Sequence, residues 1–214
     1  MLFDNNNATV FAEKLLSIGA IKLRPHEPFT WASGWRSPIY CDNRLTLSYP
    51  EIRNWLKITL AAGIHQTFSG AEVIAGVATA GIPHGALVAD ALGLPFVYVR
   101  SEAKKHGLTN QIEGKLMPGN RVVVVEDLVS TGGSSLTAVQ ALRDAGAQVE
   151  GMAALFTYAF YIADEAFANA GCSLYTISNY PSLIQYAIAQ QIIEKDTESL
   201  LNDWRQNPSA WMQP

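Results

Sequence analysis

Four consecutive valines, Val122 to Val125, run into Glu126, Asp127, Leu128 and Val129, then into the small-residue turn Ser130-Thr-Gly-Gly-Ser134. β-branched residues in an unbroken run suit a strand buried on both faces, as in the middle of a parallel sheet. The two carboxylates stand where that strand is expected to end. Beyond the turn, Leu136, Val139 and Leu142 recur at helical spacing, and Gly146 marks a helix stop. The string therefore predicts a strand, an acidic edge, a loop of small residues and a helix N-terminus. Gly132 and Gly133 let backbone approach a ligand closely. Hydroxyls and N–H groups converging at a helix start suit a phosphate. Two carboxylates at a strand end can accept from ribose hydroxyls or hold a hydrated Mg²⁺. No Gly-Lys-Ser/Thr follows, so this is not a P-loop, and it is not GxGxxG. The shape alone also fits an ordinary βα turn with a Ser N-cap and a solvated acidic pair.

The rest of the chain bounds the setting. A length of 214 residues predicts one domain, with 49% hydrophobic and 16% charged residues as in soluble globular proteins. The net charge of −4 gives no reason to expect nucleic acid or a membrane surface as partner. Cys41 and Cys172 form no metal-ligand spacing and no disulfide framework, and read as reduced thiols of a cytoplasmic protein. The N-terminus lacks the pattern of a signal peptide, and no apolar run is long enough for a bilayer.

Along the chain, Val10, Phe11, Leu15, Leu16 and Ile18 predict an amphipathic helix over 8–18, capped by Thr9 or Asn7 and ended by Gly19. Residues 20–48 read as irregular strands and turns rich in aromatics and hydroxyls, from Phe29-Thr-Trp-Ala-Ser-Gly34 through Arg36 and Tyr40 to Asp42, Asn43 and Arg44. This is either an aromatic hairpin packed on the domain or a lid over a flat anionic ligand. A helix over 50–68 is expected to bury Ile52, Trp55, Leu56, Ile58, Leu60 and Ile64. Val73–Val77 and 95–99 read as strands, with the small-residue loop Ala78-Thr-Ala-Gly-Ile82 and a helix from about Pro83 between them. Later segments read as a strand over 150–158, a helix over 162–170, a strand over 173–178, a helix over 181–193, and a short polar helix anchored by Trp204. Alternating strands and helices predict an α/β fold with a mostly parallel central sheet flanked by helices. Ligands bind such sheets beyond the C-terminal strand ends. Between residues 99 and 121 no periodicity is visible, and the stretch opens with the basic cluster Arg100, Lys104 and Lys105 against Glu102, followed by His106. A loop of that length is often functional.

The string from Val122 to Ser134 closely resembles the phosphoribosyl-pyrophosphate (PRPP) motif of type I phosphoribosyltransferases. Phe29-Thr-Trp-Ala-Ser-Gly34 with Ser37-Pro-Ile-Tyr40, and Arg100-x-x-x-Lys104-x-His106-Gly107, narrow the resemblance to the orotate phosphoribosyltransferase family, over about residues 15–190. The resemblance implies a type I phosphoribosyltransferase fold in a single domain over 1–214. A small hood, mainly about 20–48 with part of the C-terminal region, would cover a core of about 50–178, with a mobile loop of about 100–118. It implies transfer of the 5-phosphoribosyl group from PRPP to orotate, giving orotidine 5′-phosphate and pyrophosphate, in UMP biosynthesis. It also implies a homodimer whose loops cross into the neighbouring site, and Mg²⁺ held mainly by PRPP, with no protein ligand cluster for the metal. Arg100, Lys104, His106 and Asp127 would form the catalytic set. Glu126, Asp127, Leu128, Val129, Ser130, Thr131, Gly132, Gly133 and Ser134 would hold the ribose 5-phosphate, with the acids near the 2- and 3-hydroxyls. Thr79 and Ala80 would bind pyrophosphate through their backbone, and Ser130 would also touch orotate. Three positions depart from some relatives: Ser101 and Ala32 stand where those carry lysine, and 156–162 contains no arginine. The orotate carboxylate is then left to hood N–H groups or to Arg36. The nearest rival readings are a purine or uracil phosphoribosyltransferase, and a PRPP-sensing regulator.

Overall fold

The structure is a computed structural model, and it describes residues 1–101 and 111–212. Helix α1 (Asn5–Ser17) starts one turn earlier than its apolar pattern suggests. Its cap is Asp4, not Thr9 or Asn7: extended backbone lets the Asp4 carboxylate accept from the Asn7 N–H at 2.8 Å. Gly19, at φ +69°, turns the chain out of the helix as expected. Two short antiparallel pairs follow, β1 (Ile21–Leu23) with β4 (Ile39–Cys41), and β2 (Phe29–Thr30) with β3 (Arg36–Ser37). A 3-10 segment, Asn43–Ser48, then leads into α2 (Pro50–Thr67), with Pro50 in its first turn. α2 buries Ile52, Leu56, Leu60 and Ile64, but Ile58 is 63% exposed. Two residues from Leu56 lie about 200° round the helix, so Ile58 cannot share that face.

The central sheet, among the described residues, has the order β10-β9-β8-β5-β6-β7. Its strands are β5 (Val73–Val77), β6 (Phe96–Val99), β7 (Ile112–Glu113), β8 (Arg121–Val129), β9 (Gln148–Thr157) and β10 (Leu174–Asn179). All neighbours run parallel except β7, which pairs antiparallel with β6. A two-residue strand is too short to show alternation, so β7 was hidden in a stretch that read as loop. The helices α3 (Gly81–Leu92), α4 (Gly133–Asp144), α5 (Tyr161–Asn169), α6 (Tyr180–Ala189) and α7 (Glu198–Gln206) complete the layers. α6 ends short of its expected limit: the Ile192 N–H turns back to the Ala187 oxygen, and Ile192 is 49% exposed.

The valine run explains the double layer. Val123 and Val125 join the core under α1, α2 and α6, while Val122 and Val124 join the core under α4 and α5. All four are fully buried, each contributing roughly 1.5–3 kcal/mol of apolar transfer. The order in which strands are added reverses at β5: β6 lies on one side of β5 and β8 on the other. Such a switch point opens a crevice at the C-terminal strand ends.

Candidate active site

Small residues draw the first loop onto the crevice. A Cβ on Gly81 would lie 2.7 Å from the Val125 oxygen and 3.2 Å from Glu126 Oε1. A Cβ on Gly76 would lie 3.0 Å from the Gly81 oxygen. Only glycine at these positions lets the start of α3 sit flush on β5 and β8. Helix α3 therefore begins at Gly81 rather than near Pro83, and Thr79 and Ala80 are left in the turn at the mouth of the crevice.

The acidic pair does not follow β8 but lies within it. Pairing with β5 stops at Gly76↔Val125, whereas pairing with β9 continues through Glu126↔Ala154 to Val129↔Thr157. From Glu126 onward the strand is thus bonded on one side, and its other edge faces the crevice. Glu126 is 5% exposed; its Oε1 accepts from the Asp127 N–H at 3.0 Å and its Oε2 from Ser135 Oγ at 3.3 Å. Burial, reinforced by the neighbouring Asp127 charge, pushes Glu126 up to about 9. Burial also raises Asp127, against hydrogen bonds from Glu126 and the backbone and the nearby charge of Arg44. Both carboxyls are pushed the same way, so the pair holds a proton more readily than the solvated dianion that sequence alone allowed.

The turn after β8 presents backbone rather than a cap. Gly132 occupies the N-cap of α4 at φ +86°, and no side chain caps the helix. The Ser N-cap of the plain βα-turn reading is absent, which leaves first-turn N–H groups open to an anion. A Cβ on Gly132 would lie 2.9 Å from the Phe167 ring, so both φ and packing require glycine there. A Cβ on Gly133 would meet nothing within 4 Å, so open space fronts the helix start. Beside it is a slot of about 90 Å³ lined by Ala78, Arg100, Ser101, Ser134 and Thr137. Arg100 is held at the base of the 100–111 segment: its N–H donates to the Gln111 oxygen at 2.9 Å, and its guanidinium lies 3.5 Å from Glu113. Lys104 and His106 lie outside the described residues.

A second cavity, of about 330 Å³, is lined by Trp31, Tyr40, Arg44, Leu128, Ser130 and Tyr158, among others. The structure thus separates a phosphate-sized slot from a ring-sized one, with no lining residue in common. Arg36 is not among the lining residues; its carbonyl oxygen accepts from the Trp204 indole instead. Arg44 is the residue the sequence left without a role. A larger groove of about 620 Å³, near Met1, Asp164, Thr176 and Arg205, contains none of the motif residues. Among the described residues no three His, Cys, Asp or Glu side chains converge. Glu126 already accepts from Ser135 and Asp127, which leaves the Asp127 carboxylate as the group that fits a hydrated cation.

The phosphoribosyl transferase domain family matches residues 51–167, the span that contains the switch point and the uncapped Ser-Thr-Gly-Gly-Ser turn, and this places the chain in the phosphoribosyl-transfer class. Over 206 residues the chain is 58% identical to an orotate phosphoribosyltransferase of Bacteroides thetaiotaomicron, covering 96% of this chain and 97% of that one. The chain belongs to the orotate phosphoribosyltransferase family and has the type I phosphoribosyltransferase fold. The crystal structure of the Aeropyrum pernix orotate phosphoribosyltransferase matches with a TM-score of 0.73 at 32% identity, over 82% of this chain and 96% of that one. The Mycobacterium tuberculosis orotate phosphoribosyltransferase in complex with PRPP matches with a TM-score of 0.64 at 25% identity, over 83% of this chain and 98% of that one.

Proposed function

We infer that the chain transfers the 5-phosphoribosyl group from PRPP to orotate, giving orotidine 5′-phosphate and pyrophosphate, in de novo pyrimidine biosynthesis. The observation that carries this reading is the bare N-terminus of α4, with left-handed Gly132 and open space at Gly133 beside a buried acidic pair. The backbone from Ser130 to Ser134 grips the 5-phosphate, and Glu126 and Asp127 face the ribose hydroxyls. Thr79, Ala80 and Arg100 meet the pyrophosphate; Lys104 and His106 reach the pyrophosphate of a neighbouring subunit in a homodimer. Segment 20–48, with part of the C-terminal region, closes over the base in a single cytoplasmic domain.

The chemistry follows from charge. Orotate nitrogen is a weak nucleophile, so the C1–O bond of PRPP breaks largely before the C1–N bond forms. The electron pair leaves with pyrophosphate, and positive charge develops on the ribose ring, as in glycosidic cleavage. Arg100, Lys104 and His106 stabilise the departing charge. Mg²⁺, brought on the pyrophosphate of PRPP, would add Lewis-acid neutralisation of the same oxygens. Asp127, on the crevice edge of β8, faces the ring that becomes cationic. The hood keeps water from the ring while it is electron-poor. The test is pyrophosphate release from PRPP and Mg²⁺ with orotate, against adenine, hypoxanthine and uracil. Release that depends on orotate is the expected result. Release with another base and none with orotate would overturn the reading.

A further inference from the structure

The base-side cavity is walled by the rings of Trp31, Tyr40 and Tyr158, by Leu128, and by the hydroxyls of Thr30 and Ser130. Among its described lining residues Arg44 alone is charged. Orotate differs from uracil by one carboxylate, so a site that separates the two needs donors for it, and a cation is the strongest donor. Ala32 lines the same cavity and brings no charge to it.

Arg44 is placed by an anchored segment rather than by a free loop. Asn43, 1% exposed, donates from Nδ2 to the Asp127 oxygen at 2.7 Å and so pins the 3-10 segment to the end of β8. The Asn43 carbonyl in turn accepts from Thr46 Oγ1 at 2.6 Å. Arg44 is next in sequence and therefore stands over the same strand end. Asp42 accepts from Arg44 Nε at 2.7 Å and from Nη2 at 3.1 Å, fixing the plane of the guanidinium. Nη1 has no hydrogen-bond partner among the described residues. A planar guanidinium held along one edge, with donors left over, matches the fork geometry of a carboxylate. The competing view is an ordinary surface ion pair. Exposed pairs of this kind contribute little, so on that view removing the charge changes little anywhere.

We propose that Arg44, oriented by Asp42, binds the carboxylate of the pyrimidine substrate and sets the preference for orotate over uracil. This rests on the base assignment made above.

The experiment compares Arg44→Gln with the unaltered protein, using KM for orotate, KM for PRPP, and the kcat/KM ratio of orotate to uracil. The expected result is an orotate KM raised tenfold or more, a PRPP KM unchanged within about twofold, and a substrate ratio lowered by about 10–100-fold, the loss of one charge-assisted pair. An unchanged ratio overturns the proposal, and so does a parallel rise in both KM values, which would mark a structural role. A second variant, Arg44→Gln with Ala32→Lys, is expected to regain the orotate preference. If it folds and does not, the cation on this wall is not the determinant. The two readings fail separately: an unaltered protein inactive with orotate removes the base assignment, whereas a normal orotate enzyme indifferent to Arg44→Gln removes only the role of Arg44.

Discussion

The indole N–H of Trp204 donates to the carbonyl oxygen of Arg36 at 3.1 Å, joining residues 168 apart in sequence. Trp204 is fully buried and packs edge-on against Trp31 and Tyr158, with centroids 5.7 and 5.6 Å away. The C-terminal helix α7 thus supports the wall of the base-side cavity from behind. Trp204→Ala is expected to cost about 3–5 kcal/mol by cavity formation, and to raise the orotate KM more than the PRPP KM. Trp204→Phe keeps most of the volume and is expected to cost less, though it leaves the Arg36 oxygen unpaired. Urea unfolding with parallel KM measurements checks both; equal effects on the two substrates would refute the support role.

Glu126 makes stability depend on pH in a defined direction. Its folded pKa is raised from 4.5 to about 9 by burial and by Asp127. Between those values the folded state holds a proton that the unfolded state has lost, so stability falls as pH rises. The contribution is complete below about 4.5 and is lost as pH climbs toward about 9. Glu126→Gln cannot titrate and is expected to flatten the decline in melting temperature between pH 5 and pH 8. A variant whose curve runs parallel to that of the unaltered protein would contradict this assignment.

Two glycines separate folding from binding. Gly81→Ala places a methyl 2.7 Å from the Val125 oxygen, against backbone that cannot move freely. The expected cost is about 1–3 kcal/mol of overpacking, with weaker PRPP binding because α3 is pushed off β8. Gly133→Ala meets nothing in the protein and is expected to leave the melting temperature the same or slightly higher, since alanine favours the helix. Its methyl instead enters the space assigned to the 5-phosphate, so the PRPP KM is expected to rise several-fold. Unchanged PRPP binding in Gly133→Ala would move the phosphate elsewhere.

Sharing of loop residues between subunits has its own test. Lys104→Ala is expected to lower kcat by roughly 10²–10³, the scale of one lost transition-state contact, with little effect on orotate binding. Asp127→Asn is expected to be inactive through its own subunit. After subunit exchange, an equimolar mixture of the two should regain activity, because a mixed dimer contains one intact site. Absence of recovery, with exchange shown by mass, would place Lys104 in the site of its own chain.

The sequence by itself determined the α/β class, the parallel core and the location of the small-residue turn after β8. Those follow from local signals: the unbroken valine run, helical spacing after Gly133, and glycines where backbone must be bare. The anchor role of Trp204 was visible in the same way, as a large apolar residue in a polar tail. Only tertiary structure decided how far β8 extends, because pairing with β9 carries it through Glu126 and Asp127 to Val129 after β5 has stopped. Burial in that extension, invisible in the string of letters, is what raises the pKa of Glu126. The two-residue strand β7 and the Asp4 cap were lost for a related reason: a strand that short has no period, and the cap lies outside the apolar pattern. Arg44 illustrates the remainder. Its letter was plain, but its place on the cavity wall depends on Asn43 reaching a carbonyl 84 residues away, a contact that no local rule encodes.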